Sequence, residues 1–301
     1  MVTFAGADDE EGRTATLRRA VAASMLMTTA ADGGSAAACI YRLPARAIVE
    51  PGAPVPQAGL LTEPRWAVVG AAGDLLMPLQ PLDAIDAVVD NLERIAKHRQ
   101  ALAIENPDPH SRLRGRFTVD VQRLGSDRKS WTVATAPPEG GQIVLDEGDI
   151  VRVVVRSRHD ADVFVALYDF GLSGAIGQIY PARGAQEKLR ANGELKCRPQ
   201  QLGFPDVFPF VASSTGDAAL EGIETVKLFV TEQPTDFSGL EQDSLRTSAT
   251  PMSPLATLLS SVFSGATTRD ETPVPLGDED WTTVAVPFVL RRRTAVAAPS
   301  S

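Results

Sequence analysis

The chain has 301 residues, of which 44% are hydrophobic, and a formal net charge of −9 from 29 basic and 38 acidic side chains. This length and apolar content suffice for one large or two ordinary domains with a real core, which excludes a chain disordered throughout. The acidic balance argues against nucleic acid as a partner, because phosphate binding needs clustered basic side chains. The only basic run, Arg291–Arg293, is interpreted as a solvated end.

The cysteines give no sign of a metal site or a disulfide framework. Cys39 and Cys197 lie far apart, and neither belongs to a CxxC or Cys/His cluster, so we expect no metal and no cofactor. No stretch approaches the roughly 20 apolar residues of a membrane span. The acidic residues ahead of Arg18-Arg19 do not suit a leader peptide. We therefore expect a soluble, cytoplasmic protein that does not bind membranes.

The first part of the chain, residues 1–114, is predicted to be a smaller α/β region. Leu17, Val21 and Met25 recur every four residues and predict a short helix with one apolar stripe. Further on, Arg65–Val69 and Asp74–Met77 flank a glycine-rich turn and have the form of a small hairpin.

A long helix is predicted from about Leu82 to about Ile104. Its apolar residues follow the three-and-four spacing of one buried face, and Asn106–Pro109 ends it. We interpret this helix as a core-packing element rather than an exposed docking helix. From Gly115 the hydrophobic period changes to two, which predicts a domain boundary there.

Residues 115–293 are predicted to form an antiparallel β-sandwich, which makes the whole chain mainly β, or α+β overall. Its centre is a hairpin of Val163–Phe170 and Ala175–Tyr180, joined by a turn whose glycines permit a tight reversal. Asn192-Gly193 also has the composition of a hairpin turn. Further strands are predicted at Phe117–Val121, Ile150–Arg156, Glu224–Glu232 and Trp281–Leu290.

A long insertion, residues 234–276, separates the last two of these strands, and residues 294–301 are expected to be a disordered tail. Connections are usually about 4–6 residues long, so an insertion of this length needs a purpose. Pro254–Phe263 is predicted to form a short apolar helix within it. Such a helix either covers an open sheet edge, which we favour, or offers an apolar face to a partner.

The common catalytic motifs are absent from the sequence. It contains no GxSxG, P-loop or HExxH pattern, so we expect a protein that is not an enzyme. Two alternatives remain open. An unrecognised hydrolase site would draw on His159, Asp160 and Asp169. A carbohydrate- or small-ligand-binding sandwich would use the aromatic residues Tyr168, Tyr180 and Trp281. The three histidines, which are isolated in sequence, are expected at the surface: His98, His110 and His159.

The stretch Val163–Pro181, followed by Gly184–Glu187 and by KLFVTEQPTDF at Lys227–Phe237, resembles the C-terminal accessory module attached to caspase-like proteases of bacteria and fungi. The resemblance covers about residues 64–240. The peptidase domain of that family needs a catalytic histidine and a cysteine in a context similar to DxCxSG. The residues that follow Cys39 and Cys197 do not match that context.

The resemblance implies a non-enzymatic interaction or regulatory module that positions or restrains a caspase-like protease or recruits its substrates. Because loops held on a rigid sandwich often carry binding residues, we predict that the partner binds the long insertion. The candidate partner-binding residues are Phe237, Leu240, Leu258, Leu259 and Phe263.

Overall fold

The computed structural model describes residues 1–5, 12–29, 37–45, 48–49, 59–71, 75–137, 141–181, 187–203, 211–212, 219–235, 237–243 and 280–293. The chain divides into two compact units. The first is built on Met1–Gln100, and the second on Ala101–Pro205 with segments of Ser213–Asp243 and Thr272–Ser301. The domain limits predicted above, with a boundary at residue 115, stay a prediction.

The first unit contains a four-stranded sheet in the order β1-β2-β5-β6. β1 runs parallel to β2, and the other neighbours are antiparallel. β3 and β4 form a separate antiparallel pair. The elements of this part of the chain are β1 (Val2–Ala5), α1 (Arg13–Ala23), β2 (Ala38–Leu43), β3 (Ile48–Val49), β4 (Gly59–Leu60), β5 (Arg65–Gly70), β6 (Gln80–Pro81) and α2 (Ile85–Ala103).

The core of this unit forms around Trp66, which is 1% exposed and donates its indole N–H to the carbonyl of Leu82 at 3.1 Å. Leu17 and Val21 of α1 are fully buried, as their four-residue spacing predicted. The prediction for Met25 was wrong, because α1 ends at Ala23 and the Met25 side chain is exposed. The apolar stripe of this helix is therefore one turn shorter than the sequence pattern indicated.

Helix α2 lies within the predicted range, and its first turn contains an acidic residue, Asp86, which the helix dipole favours there. Val88 and Leu92 lie on its buried face and join the core of the first unit. Asn91 is also fully buried on this helix. A surface position was predicted for His98, but this residue is half-buried. Burial lowers the pKa of its imidazole to about 4.

The second unit contains two sheets. The smaller has the order β14-β10-β7-β8, with β15 also paired to β10, and the larger has the order β12-β11-β17-β18-β9, with β13 also paired to β11. The prediction of a mainly β protein is confirmed. The strands of this unit are β7 (Phe117–Leu124), β8 (Trp131–Val133), β9 (Ile143–Asp146), β10 (Ile150–Ser157), β11 (Val163–Phe170), β12 (Ile176–Tyr180), β13 (Glu187–Leu189), β14 (Glu194–Lys196), β15 (Gln200–Gln201), β17 (Ala219–Thr231) and β18 (Trp281–Arg293), and β16 (Val211–Ala212) belongs to the first unit.

The central hairpin is present as predicted, with β11 and β12 paired antiparallel. Its turn closes through a hydrogen bond from the backbone N–H of Gly171 to the carbonyl of Ala175 at 3.0 Å. Gly174 has a φ of 73°, a left-handed conformation that favours glycine. On its other side β11 pairs antiparallel with β17, so the hairpin forms one end of the larger sheet.

Asn192-Gly193 does not join two paired strands. The strand before it, β13, pairs with β11 of the larger sheet, whereas β14 after it pairs with β10 of the smaller sheet. Asn192 adopts a φ of 50°, which asparagine tolerates better than most residues. The predicted hairpin turn is therefore a crossing from one sheet to the other.

Strand β18 occupies an interior position in the larger sheet. It pairs antiparallel with β17 along its whole length and parallel with β9 only at Phe288–Arg291. The predicted antiparallel arrangement therefore has an exception here. Pro287, which has no N–H to donate, stands one residue before the pairing with β9 begins. In the described part of the chain, no strand pairs with residues 281–287 on that side.

Candidate interaction surface

Two of the predicted partner-binding residues lie against the core of the second unit. Phe237 and Leu240 are partly buried and pack on a cluster that includes Phe229 and Tyr168. The rings of Phe237 and Phe229 are 4.9 Å apart. These two side chains therefore help to stabilise the fold. The other three predicted residues, Leu258, Leu259 and Phe263, and the predicted helix Pro254–Phe263 lie outside the described residues, as does the tail 294–301.

The first part of the insertion also extends the larger sheet. Gln242 forms an isolated antiparallel bridge with Ile176 of β12, through backbone hydrogen bonds of 2.9 and 3.1 Å. The side-chain amide of Gln242 donates to the carbonyl of Gly174 at 2.5 Å. The segment 237–243 thus covers part of the edge of β12, and its apolar residues cover the adjacent sheet face.

The residues considered for a hydrolase do not come together. His159 precedes β11 and Asp169 lies near its end, so roughly 20 Å of extended strand separates them. Asp160 is 95% exposed, and its carboxylate is 3.7 Å from Nδ1 of His159, too long for a hydrogen bond. This arrangement lacks the mutual contacts that a nucleophile, a base and an orienting group need.

The aromatic residues considered for sugar binding do not form a common exposed face. Tyr168 is 1% exposed and packs edge-on against Phe229 with ring centroids 5.9 Å apart. The hydroxyl of Tyr180 donates to the carboxylate of Glu187. Trp281 is half-buried in β18. A stacking platform needs an accessible ring face, which the buried Tyr168 does not offer.

An exposed apolar surface lies elsewhere, on the larger sheet. Ile223 of β17 faces Val289 of β18, and Val289 faces Val144 of β9, so the three form one row across three strands. Ile223 is 56% exposed and Val144 is 40% exposed. Ala285 and Pro287 lie on the same side of β18 as Val289 and are also exposed. We call these five residues the apolar strip: Val144, Ile223, Ala285, Pro287 and Val289.

A charged row borders the apolar strip. Arg291 lies opposite Glu221 of β17 and opposite Asp146 of β9, two residues beyond Val289 on the same face. Its Nε donates to Asp146 Oδ1 at 2.8 Å. An apolar centre with a polar border is the usual anatomy of a protein interface. Scattered apolar surface residues are common, but contiguous exposed ones mark interaction sites.

The apolar strip could not be predicted from the sequence, because apolar residues that alternate along a strand are also typical of a buried sheet face. The distinguishing signal is the register, which places Ile223, Val289 and Val144 side by side although they are distant in sequence.

Beside the strip, the same sheet carries two buried groups that sequence reasoning also missed. Lys227 is 1% exposed, and its ammonium donates to the carbonyls of Ala101 at 3.2 Å, Leu102 at 2.5 Å and Ile104 at 2.6 Å. These carbonyls belong to the C-terminal end of α2, where a positive charge is favoured. Burial nevertheless lowers the pKa of Lys227 to about 8.

Glu224 lies on the opposite face of β17 and is buried, with 8% of its surface exposed. A methyl group added at Gly171 would lie 3.9 Å from Glu224 Oε1 and 3.8 Å from Asp169 Oδ2, so the two carboxyl groups flank this glycine. Burial, together with the charge of Asp169, raises the pKa of Glu224 to about 8. Burial raises the pKa of Asp169 to about 6.

Cys197 lacks the features of a nucleophile. Cys39 and Cys197 are both free thiols, and Cys197 is buried. Burial raises the pKa of the Cys197 thiol to about 11, which disfavours the thiolate that nucleophilic attack requires. Among the described residues, no group of three or more His, Cys, Asp or Glu side chains has a geometry that could hold a metal ion. None of the described helices is both long and apolar enough to cross a membrane.

Comparison with models of known protein families gave no match to this chain. Comparison with curated proteins gave no significant match either. The function proposed below therefore rests on the fold, on the apolar strip and on the sequence resemblance described above.

Proposed function

We propose that this protein is a non-enzymatic interaction module that binds a protein partner through the apolar strip. The observation that carries the proposal is the row of Ile223, Val289 and Val144 across three neighbouring strands, in which Ile223 and Val144 are exposed and Val289 between them is half-buried. Burying such a row would contribute roughly 25 cal/mol for each Å² of apolar surface removed from water. The ion pair between Arg291 and Asp146 would remain at the rim, where its desolvation cost is small.

The partner that we propose is a caspase-like protease, which the module would position, restrain or supply with substrates. The support for this choice is the resemblance of residues 64–240 to the accessory module of such proteases. The extended edge of β18 beside the strip offers backbone groups to an added strand, which is a common mode of peptide recognition. We further propose a cytoplasmic location, in keeping with two free cysteines.

We also propose that the two sheets of the second unit form the β-sandwich that was predicted from the sequence. Support comes from the contacts of β7 with β18 and from the alternation of buried residues on these strands, such as Val119 and Val121 on β7 and Phe288 and Leu290 on β18. A sandwich of this kind would hold the apolar strip rigidly, so that a partner would meet a preformed surface.

The proposal is tested by affinity capture from the native lysate with the tagged full chain and two variants. The double variant Ile223→Ser/Val144→Ser removes the exposed part of the strip, and we expect at least about tenfold less of a caspase-like protease to be captured. The control is Val133→Ser, because Val133 is 44% exposed but lies on β8 of the smaller sheet. Capture of the protease at equal yield by all three proteins would refute the role of the strip. Absence of any caspase-like protease among the captured proteins would refute the proposed partner.

A further inference from the structure

A polar cleft of about 380 Å³ lies on the smaller sheet of the second unit, away from the residues of the apolar strip. Its volume falls within the range of small-molecule sites. Strand register explains its composition, because Arg156 of β10 faces Thr118 of β7 on one side and Glu194 of β14 on the other. The crossing at Asn192-Gly193 closes one side of the cleft.

The guanidinium of Arg156 is held in place from both sides. Its Nε donates to Glu194 Oε2 at 2.7 Å, and its Nη1 donates to Asp120. These two carboxylates raise the pKa of Arg156. Its remaining nitrogen, Nη2, makes no hydrogen bond to any described residue. A donor fixed in this way can bind a ligand without first losing side-chain freedom, and this lowers the entropic cost of binding.

The backbone of the cleft is fixed in a similar way. The N–H of Ser157 donates to the carbonyl of Gly193 at 2.9 Å, and the N–H of Asn192 donates to the carbonyl of His159 at 2.8 Å. The side chains of Thr118, Asn192 and Arg158 also line the cleft and have no hydrogen-bond or ion-pair partner among the described residues. They provide a hydroxyl, an amide and a guanidinium.

The charges of the cleft restrict the ligand. Arg156 and Arg158 line the cleft with two positive charges, and Asp120 and Glu194 line it with two negative charges. Arg156 and Lys196 together neutralise the two carboxylates, since Arg156 pairs with both and Lys196 Nζ lies 2.7 Å from Glu194 Oε1. The guanidinium of Arg158 is thus the charge that remains to be matched. One carboxylate suits it, because the planar fork of arginine binds a carboxylate through two hydrogen bonds. A doubly charged phosphate would bring more negative charge than the single guanidinium of Arg158 can match.

From these contacts we infer that the cleft binds a small organic monocarboxylate that carries hydroxyl groups. The carboxylate pairs with Arg158, and the hydroxyl groups bond to Thr118, Asn192 and Nη2 of Arg156. This site does not depend on the proposed function, because the cleft and the apolar strip share no residue.

The test is a titration of the full chain, followed by two-dimensional NMR, with three probes at equal ionic strength: gluconate, lactate and inorganic phosphate. We expect gluconate to shift the backbone signals of residues 118, 156–158 and 192–194, lactate to bind more weakly, and phosphate to leave them unchanged. Arg158→Gln should weaken gluconate binding by about tenfold or more, as expected for the loss of a charge-assisted hydrogen bond.

The control variant is Arg128→Gln, which removes the same charge at the turn beyond the other end of β7. This variant should bind gluconate as the unmodified chain does. Three outcomes would overturn the inference: no saturable shift with gluconate, equal binding of phosphate, or equal weakening by both arginine variants. Because these readouts concern the smaller sheet alone, they remain interpretable if the captured-protein experiment fails.

Discussion

Asp169 and Glu224 lie on the same face of the neighbouring strands β11 and β17, on either side of Gly171. Among the described residues, no basic side chain forms an ion pair with either carboxyl group. Burial raises the pKa of Asp169 to about 6, and burial together with the charge of Asp169 raises the pKa of Glu224 to about 8. A carboxyl group whose pKa rises on folding holds its proton more tightly in the folded state. The folded state is therefore favoured at low pH and loses stability as the pH rises from about 4 to about 8.

The first prediction concerns Glu224→Gln. At pH 9 the unmodified chain carries two buried carboxylates side by side, and the variant carries one, so the variant should be more stable by about 2 kcal/mol. At pH 5, where Glu224 is protonated, the two proteins should differ much less. Urea unfolding at the two pH values measures the difference.

The control for this experiment is Glu221→Gln, three residues earlier on β17 and on its other face. Glu221 is only half-buried, so its replacement should change the free energy of unfolding by less than about 0.5 kcal/mol. A Glu224 variant with the same pH profile as the unmodified chain would contradict a raised pKa of Glu224 in the folded state.

The second prediction concerns Lys227→Met. Methionine fills a similar volume but cannot donate to the carbonyls of Ala101, Leu102 and Ile104, so we expect a loss of about 2–3 kcal/mol of unfolding free energy. Hydrogen exchange should also become faster at the last turn of α2. Lys196→Met is the matched control, since Lys196 is exposed and, within the described part of the chain, forms an ion pair with Glu194 alone. Equal stability of the two variants would contradict a stabilising role for the Lys227 ammonium.

The third prediction concerns His98 and acid. Burial, with a smaller contribution from the charge of Arg99, lowers the pKa of His98 to about 4. The unfolded chain, with an ordinary histidine pKa near 6.5, binds this proton more readily. His98 therefore costs stability as the pH falls from about 6.5 to about 4, and causes no further loss below that range.

Proton NMR of the imidazole should give a pKa close to 4 for His98. The variant His98→Gln should have a smaller loss of stability over the same pH range, whereas His110→Gln, at an exposed position, should lose as much as the unmodified chain does. A measured pKa near 6.5 would mean that water reaches the His98 ring.

The fourth prediction separates packing from partner binding. Phe237→Ala removes a ring that packs 4.9 Å from that of Phe229, so it should lower the free energy of unfolding by about 2 kcal/mol. Ile223→Ala should change stability by less than about 0.5 kcal/mol, because Ile223 is 56% exposed. Thermal unfolding of both variants gives the comparison. If Phe237→Ala were neutral, the segment 237–243 would not contribute to the core.

Local sequence patterns predicted the elements whose partners are close in the chain. The hairpin of β11 and β12 and the helix α2 belong to this group, because a tight turn and a helical period each act over a few residues. Asn192-Gly193 shows the limit of such patterns. Its composition suits a tight reversal, but the strands on its two sides find better partners in different sheets.

The candidate site depends on long-range register, which no local pattern contains. Val144 and Val289 are neighbours although 145 residues separate them, as their pairing shows. Long-range register also decides the surroundings of Glu224 and Lys227, which occur in an ordinary strand sequence but face opposite sides of the sheet. Whether such a residue is exposed, buried or paired is decided by strands from distant parts of the chain.

The position of β18 has a consequence for biosynthesis. This strand contains some of the last described residues of the chain, yet it lies between β17 and β9 in the larger sheet. While the protein is being made, β9 leaves the ribosome about 145 residues before its partner at Phe288–Arg291. Translation proceeds at about 5–20 residues per second, so β9 waits roughly 7–30 s for that partner. The larger sheet can therefore be completed only after β18 has been synthesised, and until then β9 and one edge of β17 are available to chaperones.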